Sequence, residues 1–397
     1  MPDRLAGNHG LVQQRIEAVD GPRVRIDGRW VLNFAACNYL GLNDDPRVRA
    51  AVSHPIPNAI SLGMPRLLGT TELTDRLERA IAALTGQEAA LVFTSTNHAS
   101  RDGLGMLAGK TGHFLIDGGA YPISVDAAFA AARGESRVHR FTHNDPDDLE
   151  RLLRRYPGHR NHVIICDGVY PGKGTFAPLP AFLELAECYG ASLYIDDAHG
   201  IGVLGRNPTR AQPLGIGGSG TPSRFGLGTG SYLHIGGLSK AFGIPIAFAA
   251  GPNALIDRLR STAPSFVHNS PPAIPLLAAA LAALDIHQRE GDDRRSQLIA
   301  AVRRFRAGLR HWDLRPEPHS CFPIQGLRLP TVAQARAMTT ALRRRSIWTL
   351  LQHGSPGAPQ AGAVRFVFSA AHRPNDIDEA VEQIAKVSRA RAQRGRG

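Results

Sequence analysis

Between residues 50 and 285, short apolar runs alternate with stretches whose apolar residues recur at helical spacing. The runs Ala89 to Phe93, His113 to Ile116, Val163 to Cys166, Leu193 to Ile195, Leu233 to Gly236 and Ile246 to Ala250 have the length and near-continuous apolar character of strands buried on both faces. Leu73 to Leu84 is one of the amphipathic helical stretches between them. This alternation predicts an α/β fold with a mostly parallel sheet covered by helices on both faces. Residues 10 to 33 predict an arm with a short hairpin, Arg23 to Ile26 turning at Asp27-Gly28 into Trp30 to Asn33. After a long helix from about Ala273, strands at Ile324 to Leu329, Ile347 to Leu351 and Val364 to Phe368 predict a smaller α+β domain. The expected organisation is an N-terminal arm over 1–50, a large domain over 51–285 and a small C-terminal domain over 286–397, with no internal repeat.

Composition narrows the class without naming an activity. A chain of 397 residues with 43% hydrophobic content can bury two or three cores. No apolar run approaches the ~20 residues a membrane helix needs; the longest, Ala273 to Leu284, contains a proline. The start, Met1-Pro2-Asp3-Arg4, has no signal-like apolar core. Cys37, Cys166, Cys188 and Cys321 show no metal spacing and read as reduced core thiols. A soluble cytoplasmic protein is expected. The net charge of +12 raises nucleic acid as a partner. That charge is spread thinly, and the few aromatics are not interleaved with it as a base-stacking surface requires. No nucleic-acid partner is expected, and the arginine-rich tail from Arg389 to Gly397 reads as a frayed end.

Two motif-like stretches carry no chemistry. Gly215-Ile216-Gly217-Gly218-Ser219-Gly220 spells the dinucleotide pattern, but no strand precedes it and Thr221-Pro222-Ser223 follows, so it reads as a flexible loop. His139 and His143 have helical metal spacing on a run that looks extended, before a helix capped at Asn144-Asp145-Pro146. No metal is expected.

Candidate chemistry concentrates in two segments. Asp196-Asp197-Ala198-His199 follows the strand-like run ending at Ile195, which puts two acids and a histidine at the carboxyl edge of the sheet. Asp196 suits a buried acid that keeps a pyridine nitrogen protonated, with His199 hydrogen-bonding the ring's phenolic oxygen. A strand ending in a helix-capping Asp pair accounts for the same letters. The second segment, Gly237-Leu238-Ser239-Lys240-Ala241-Phe242-Gly243, tips the balance. Only Lys110, Lys173, Lys240 and Lys386 occur among 46 basic residues, and arginine cannot form a Schiff base at ordinary pH. Lys240 stands among small residues that let a bulky cofactor approach, whereas the other three read as solvated charge.

With these segments in place, the chain resembles the α-oxoamine synthases, fold-type I pyridoxal phosphate enzymes. Matches run in family order from Asn38-Tyr39-Leu40-Gly41-Leu42 through Arg66-Leu67-Leu68-Gly69-Thr70-Thr71, Phe93-Thr94-Ser95, His143-Asn144-Asp145, Asp167-Gly168-Val169-Tyr170, Ala177-Pro178-Leu179 and the Asp196 and Lys240 segments. They end at Arg365 and Ser369-Ala370-Ala371-His372. The resemblance implies pyridoxal 5'-phosphate as cofactor, in Schiff-base linkage to Lys240, which would also move the substrate α-proton. It implies Asp196 at the pyridine nitrogen, His199 at the phenolic oxygen and Arg365 on the substrate carboxylate, with Asn38 on the substrate side. Arg365 alone reads equally as a strand arginine in a surface pair, and Asn38 as a turn residue. Thr96 and Asn97 align with phosphate-binding residues at a helix start, where an ordinary strand-to-helix cap would use the same types. Ser270, in Asn269-Ser270-Pro271-Pro272, aligns with a hydroxyl that relatives receive from a partner subunit, which implies a homodimer with shared active sites.

The chain also departs from the family. Tyr121 stands where a stacking histidine is usual, Gly237 replaces a phosphate-binding threonine with Ser239 offering a hydroxyl nearby, and Pro171 and Gly63-Met64-Pro65 replace serine and glycine-rich positions. The resulting expectation is a transferase condensing an amino acid with an acyl-CoA-type thioester. Another reaction on the same scaffold, either an unusual carbon–carbon bond formation in specialised metabolism or aminotransfer, is the alternative. A non-catalytic binding protein derived from the fold is a third.

Overall fold

The structure, a computed structural model, describes residues 12–53, 58–108, 112–132, 137–156, 162–354 and 360–394. The chain divides into two compact units, one of residues 45–171 and 175–292 and one of residues 1–44, 172–174 and 293–397.

The larger unit is built on seven strands: β1 (Ala89–Phe93), β2 (His113–Asp117), β3 (Arg137–Phe141), β4 (Val163–Asp167), β5 (Ser192–Asp196), β6 (Tyr232–Gly237) and β7 (Ala247–Gly251). Their order across the sheet is β1-β7-β6-β5-β4-β2-β3, and β7 alone runs antiparallel to its neighbours. Every residue of β2, β4, β6 and β7 is buried, which explains why these strands read as continuous apolar runs rather than alternating ones. Alternate residues feed two cores. Phe114, Ile116, Val163, Ile165, Tyr194, Leu233 and Ile235 pack on one face. Leu115, Ile164, Cys166, Leu193 and Ile195 pack on the other with Phe141 and Phe182.

Helix boundaries follow their local signals. Glu72–Thr85 starts at Thr71, whose side chain accepts from the Thr74 N–H, and stops at Gly86 in left-handed conformation (φ 68°). Pro146–Arg155 starts at Asp145, which accepts from Asp147 and Asp148 N–H, with Pro146 in its first turn and Arg154 and Arg155 in its last.

In the smaller unit the Arg23–Ile26 and Arg29–Asn33 hairpin turns at Asp27 and Gly28, both at positive φ, as the Asp-Gly pair foretells. A three-stranded antiparallel sheet orders Ile324–Leu329, Gly362–Val367 and Leu350–Gln352; the helix Val332–Arg344 packs on it, and the helix Pro374–Arg394 packs on that helix.

Several expectations need correction. Ile347 to Leu351 is not one strand: Ile347–Trp348 pairs with Arg29–Asn33, and Leu350–Gln352 joins the other sheet. The Gly215 loop is not loose, because Arg206 and Ile216 exchange both backbone hydrogen bonds. Of the four thiols only Cys166 is in the core; Cys188 is exposed. The tail is helical through Arg394, while residues 395–397, Lys110 and the chain before residue 12 lie outside the described residues. Among the described residues no helix is long and apolar enough to cross a membrane.

His372 links this packing to pH. Its ring stacks on Phe34 (centroids 4.3 Å apart), its Nδ1 accepts the Ser369 N–H at 2.9 Å, and burial lowers its pKa from 6.5 to about 4. The folded state therefore excludes a proton that the unfolded chain takes up below pH ~6.5. Stability is full above that pH and falls as the pH drops toward 4, by up to about 3 kcal/mol from this residue. Denaturant midpoints measured between pH 7 and 4 should show this loss, and His372→Asn, whose oxygen can still accept the Ser369 N–H, should lose less.

Candidate active site

Four acids gather at the carboxyl ends of the central strands of the larger unit. Asp117 closes β2, Asp167 closes β4, and Asp196 closes β5 with Asp197 directly after it. All four are buried, and strand register sets Asp196 beside Asp167. An ionised carboxylate survives burial only where donors or cations face it. Asp117 accepts from Gly119 N–H (2.6 Å), Asn144 N–H (2.8 Å) and His143 Nδ1 (2.7 Å). Asp197 accepts from the Thr221 N–H (2.7 Å) and hydroxyl and pairs with His234 Nε2 (3.2 Å). Asp196 and Asp167 are more sparsely served. Asp196 accepts from Ala198 N–H (3.1 Å) and Ser124 Oγ (3.3 Å), and Asp167 shares the single Tyr121 N–H between its two oxygens (3.1 Å each).

Lys240 faces this acid edge. It follows β6 by three residues and is half-buried, and its charge acts on Asp196, Asp167 and His199 together. Burial raises the Asp196 carboxyl while the lysine charge and the Ala198 N–H oppose that rise. Burial, reinforced by the neighbouring Asp196 charge, lifts Asp167 well above the usual carboxylate range. Burial and then the lysine charge push His199 well below 6.5, so its imidazole is neutral at pH 7.

Glycines make this crowding possible. A Cβ at Gly168, Gly200 or Gly220 would lie 2.3, 2.1 or 2.2 Å from an Asp197 carboxylate oxygen, so only hydrogen fits around that acid. A Cβ at Gly202 would lie 2.6 Å from Ala241 Cβ, which places the turn after His199 directly against the lysine segment.

The remaining candidates fall in two places. Thr96 and Asn97 open the helix Thr96–Ala108 after β1. A Cβ at Gly237 would sit 3.4 Å from Thr96 Cγ2 and 3.7 Å from Ser239 Oγ, so Thr96, Gly237 and Ser239 surround one point near Lys240. Tyr121 stands at the N-cap of Pro122–Ala131 and is 48% exposed. Ser270 is exposed and lines a small cavity with Arg66, Thr94, Phe266 and Asn269. Arg365 and Asn38 belong to the smaller unit. Arg365 is buried, donating from Nε to Gln352 Oε1 (2.6 Å), from Nη1 to Glu317 O (3.2 Å) and from Nη2 to Gly172 O (2.9 Å). These bonds leave one N–H on each terminal nitrogen. Asn38 closes a turn, its Oδ1 accepting the Leu42 N–H and its Nδ2 donating to Asn43.

His139 lies on β3 and bonds to His113 (2.9 Å), whereas His143 bonds to Asp117; the described residues contain no cluster able to hold a metal ion. Sequence reasoning did not single out Asp117 and Asp167 for a role, although each ends an apolar run as Asp196 does. Ser124, Thr221, His234 and Gln352 gave no comparable signal, because their importance comes from partners distant in sequence.

The profile of the family aminotransferase class I and II matches residues 29–384. The 8-amino-7-oxononanoate synthase of Symbiobacterium thermophilum is 32% identical over 95% of this chain and 93% of its own length. The chain is a member of the α-oxoamine synthases, within the aminotransferase class I and II family. Among solved structures, Sphingomonas wittichii serine palmitoyltransferase has a similar fold, with a TM-score of 0.88 and 23% identity covering 98% of this chain and 95% of that one. The 8-amino-7-oxononanoate synthase of Francisella tularensis matches with a TM-score of 0.73 at 20% identity, covering 91% of this chain and 99% of that one. This α-oxoamine synthase is a pyridoxal phosphate-dependent transferase. Its larger unit fits that cofactor: a single lysine faces two thinly solvated acids suited to a cationic ring nitrogen, beside a neutral histidine and a hydroxyl-lined helix start.

The glycine cage yields a stability test. Gly200→Ala should destabilise the protein by about 1–3 kcal/mol, because the added methyl must displace Asp197 or Thr221. Urea unfolding checks this, and unchanged stability would mean that the cage is loose.

Proposed function

We propose that this enzyme condenses an amino acid with an acyl-CoA-type thioester, releasing coenzyme A. The observation that carries the reading is the convergence of Lys240, Asp196 and His199 at one strand edge. Bound pyridoxal phosphate supplies an electron sink for the carbanion formed at the amino acid α-carbon.

The chain's own residues do the rest. Asp196, whose rise on burial is opposed by the Lys240 charge and the Ala198 N–H, would hold the proton on the ring nitrogen. His199, being neutral, donates a hydrogen bond to the phenolic oxygen without adding charge. Lys240 would hold the cofactor, and its Nζ would accept the substrate α-proton. Free amides at the start of the helix Thr96–Ala108, with the Thr96, Asn97 and Ser239 side chains, bind the phosphate. The ring of Tyr121, at the N-cap of Pro122–Ala131, would offer the cofactor an aromatic surface. Arg365 receives the substrate carboxylate on its two remaining N–H groups, its direction set by Gln352 and two carbonyls. Asn38 stays on the substrate side as part of its turn, and Ser270 serves the site of a partner subunit in a homodimer.

Incubation of the holoenzyme with single amino acids and acyl-CoA thioesters tests this reading. Amino acid-dependent release of free thiol is expected. Arg365→Gln should raise KM for the amino acid about 10- to 100-fold, the worth of a charge-assisted bond pair. Conversion of an oxo acid to an amino acid without thiol release would replace the proposal with aminotransfer.

A further inference from the structure

Three hydroxyl groups inside the larger unit lead to the Asp196 carboxylate, and the scheme above gives them no task. Ser100 on the helix Thr96–Ala108, Ser124 on Pro122–Ala131 and Tyr194 on β5 are all fully buried. Tyr194 belongs to the same apolar core as Phe114 and Ile165, where a hydroxyl is costly unless it is bonded. The three are bonded in series. Ser100 Oγ lies 2.7 Å from the Thr96 carbonyl oxygen, and Tyr194 Oη lies 2.7 Å from Ser100 Oγ. Ser124 Oγ lies 3.5 Å from Tyr194 Oη and 3.3 Å from Asp196 Oδ2. Each hydroxyl has one proton to give, so the directions follow from the far end. The Thr96 carbonyl only accepts and takes the Ser100 proton. Ser100 accepts from Tyr194, whose phenol keeps its proton because burial raises its pKa. Tyr194 has no second proton for Ser124, so the Ser124 hydroxyl turns to Asp196. The other oxygen of that carboxylate accepts the Ala198 N–H at 3.1 Å, which leaves one donor on each side.

We propose that Ser124, backed by Tyr194 and Ser100, is a positioning residue of the cofactor site that orients the Asp196 carboxylate toward the pyridine nitrogen. The inference rests on the reading that Asp196 and Lys240 grip the cofactor. The arrangement serves the acid in either protonation state. An ionised carboxylate accepts the Ser124 proton. A protonated one donates to Ser124 Oγ, which then gives its own proton to the Tyr194 oxygen. Either way Oδ2 stays fastened, so the acid can hold or share the ring-nitrogen proton without turning. The chain of bonds ends on the Thr96 carbonyl, in the opening turn of the helix whose start is proposed to hold the phosphate. One buried network thus ties the acid end of the cofactor cradle to its phosphate end.

The test is equilibrium binding of pyridoxal phosphate to the full-length protein, read by absorbance and independent of turnover. It is run beside the deaza analogue, in which carbon replaces the ring nitrogen. Ser124→Ala should weaken pyridoxal phosphate binding about 10-fold, the worth of a hydrogen bond to a charged group. The same variant should bind the deaza analogue as wild type does, because that ligand offers Asp196 no nitrogen to face. Tyr194→Phe keeps the ring but removes the middle hydroxyl, and should shift the two ligands in the same pattern by a smaller factor. The answer therefore does not depend on the folding of one variant. Wild-type affinity for pyridoxal phosphate in both variants, or an equal loss for both ligands, would overturn this proposal alone. Unchanged pyridoxal phosphate affinity in Asp196→Ala would overturn both it and the functional reading on which it rests.

Discussion

Buried carboxylates crowd the end of a parallel sheet opposite a single lysine, and the rest of the site is arranged around that imbalance. Two adjacent acids in a low-dielectric setting repel each other and resist ionisation. Lys240 partly offsets this, as the opposing pulls on Asp196 show. A cationic ring nitrogen would complete the compensation. That compensation is what the proposed grip of Asp196 and Lys240 on the cofactor requires.

The scaffold makes this crowding affordable by spending glycine where side chains would otherwise collide. Gly168, Gly200 and Gly220 close around Asp197, whose bonds to Thr221 and His234 anchor the turn carrying His199. Asp117 ties down the next loop through Gly119, His143 and Asn144, and Asp167 takes the Tyr121 N–H at its far end. Each acid at the sheet edge thus fixes a loop as well as contributing charge. Within the smaller unit, Gln352 and two carbonyls fix the direction of the Arg365 guanidinium.

The fold was legible because buried parallel strands are short apolar runs, and six of the seven appear as such between residues 50 and 285. The seventh, Arg137–Phe141, carries two arginines and a histidine at the sheet edge, so only its extended character could be read. The gathering of Lys240, Asp196 and His199 was legible for chemical reasons: lysine is rare here and the acid pair ends a strand. Asp167 carried the same strand-end signal without a neighbouring histidine to draw notice. The bonds of Asp197 to Thr221 and His234 were not legible, since they join residues 24 and 37 positions apart through tertiary packing alone. Ile347 to Leu351 was misread as one strand because pattern cannot show a chain leaving one sheet for another at Thr349.

The most direct measurement of the central claim is peptide mapping by mass spectrometry after borohydride reduction of the cofactor-loaded protein. The account predicts one modified peptide, carrying the reduced cofactor on Lys240. Modification confined to Lys110, Lys173 or Lys386, or loading that survives intact in Lys240→Ala, would contradict it.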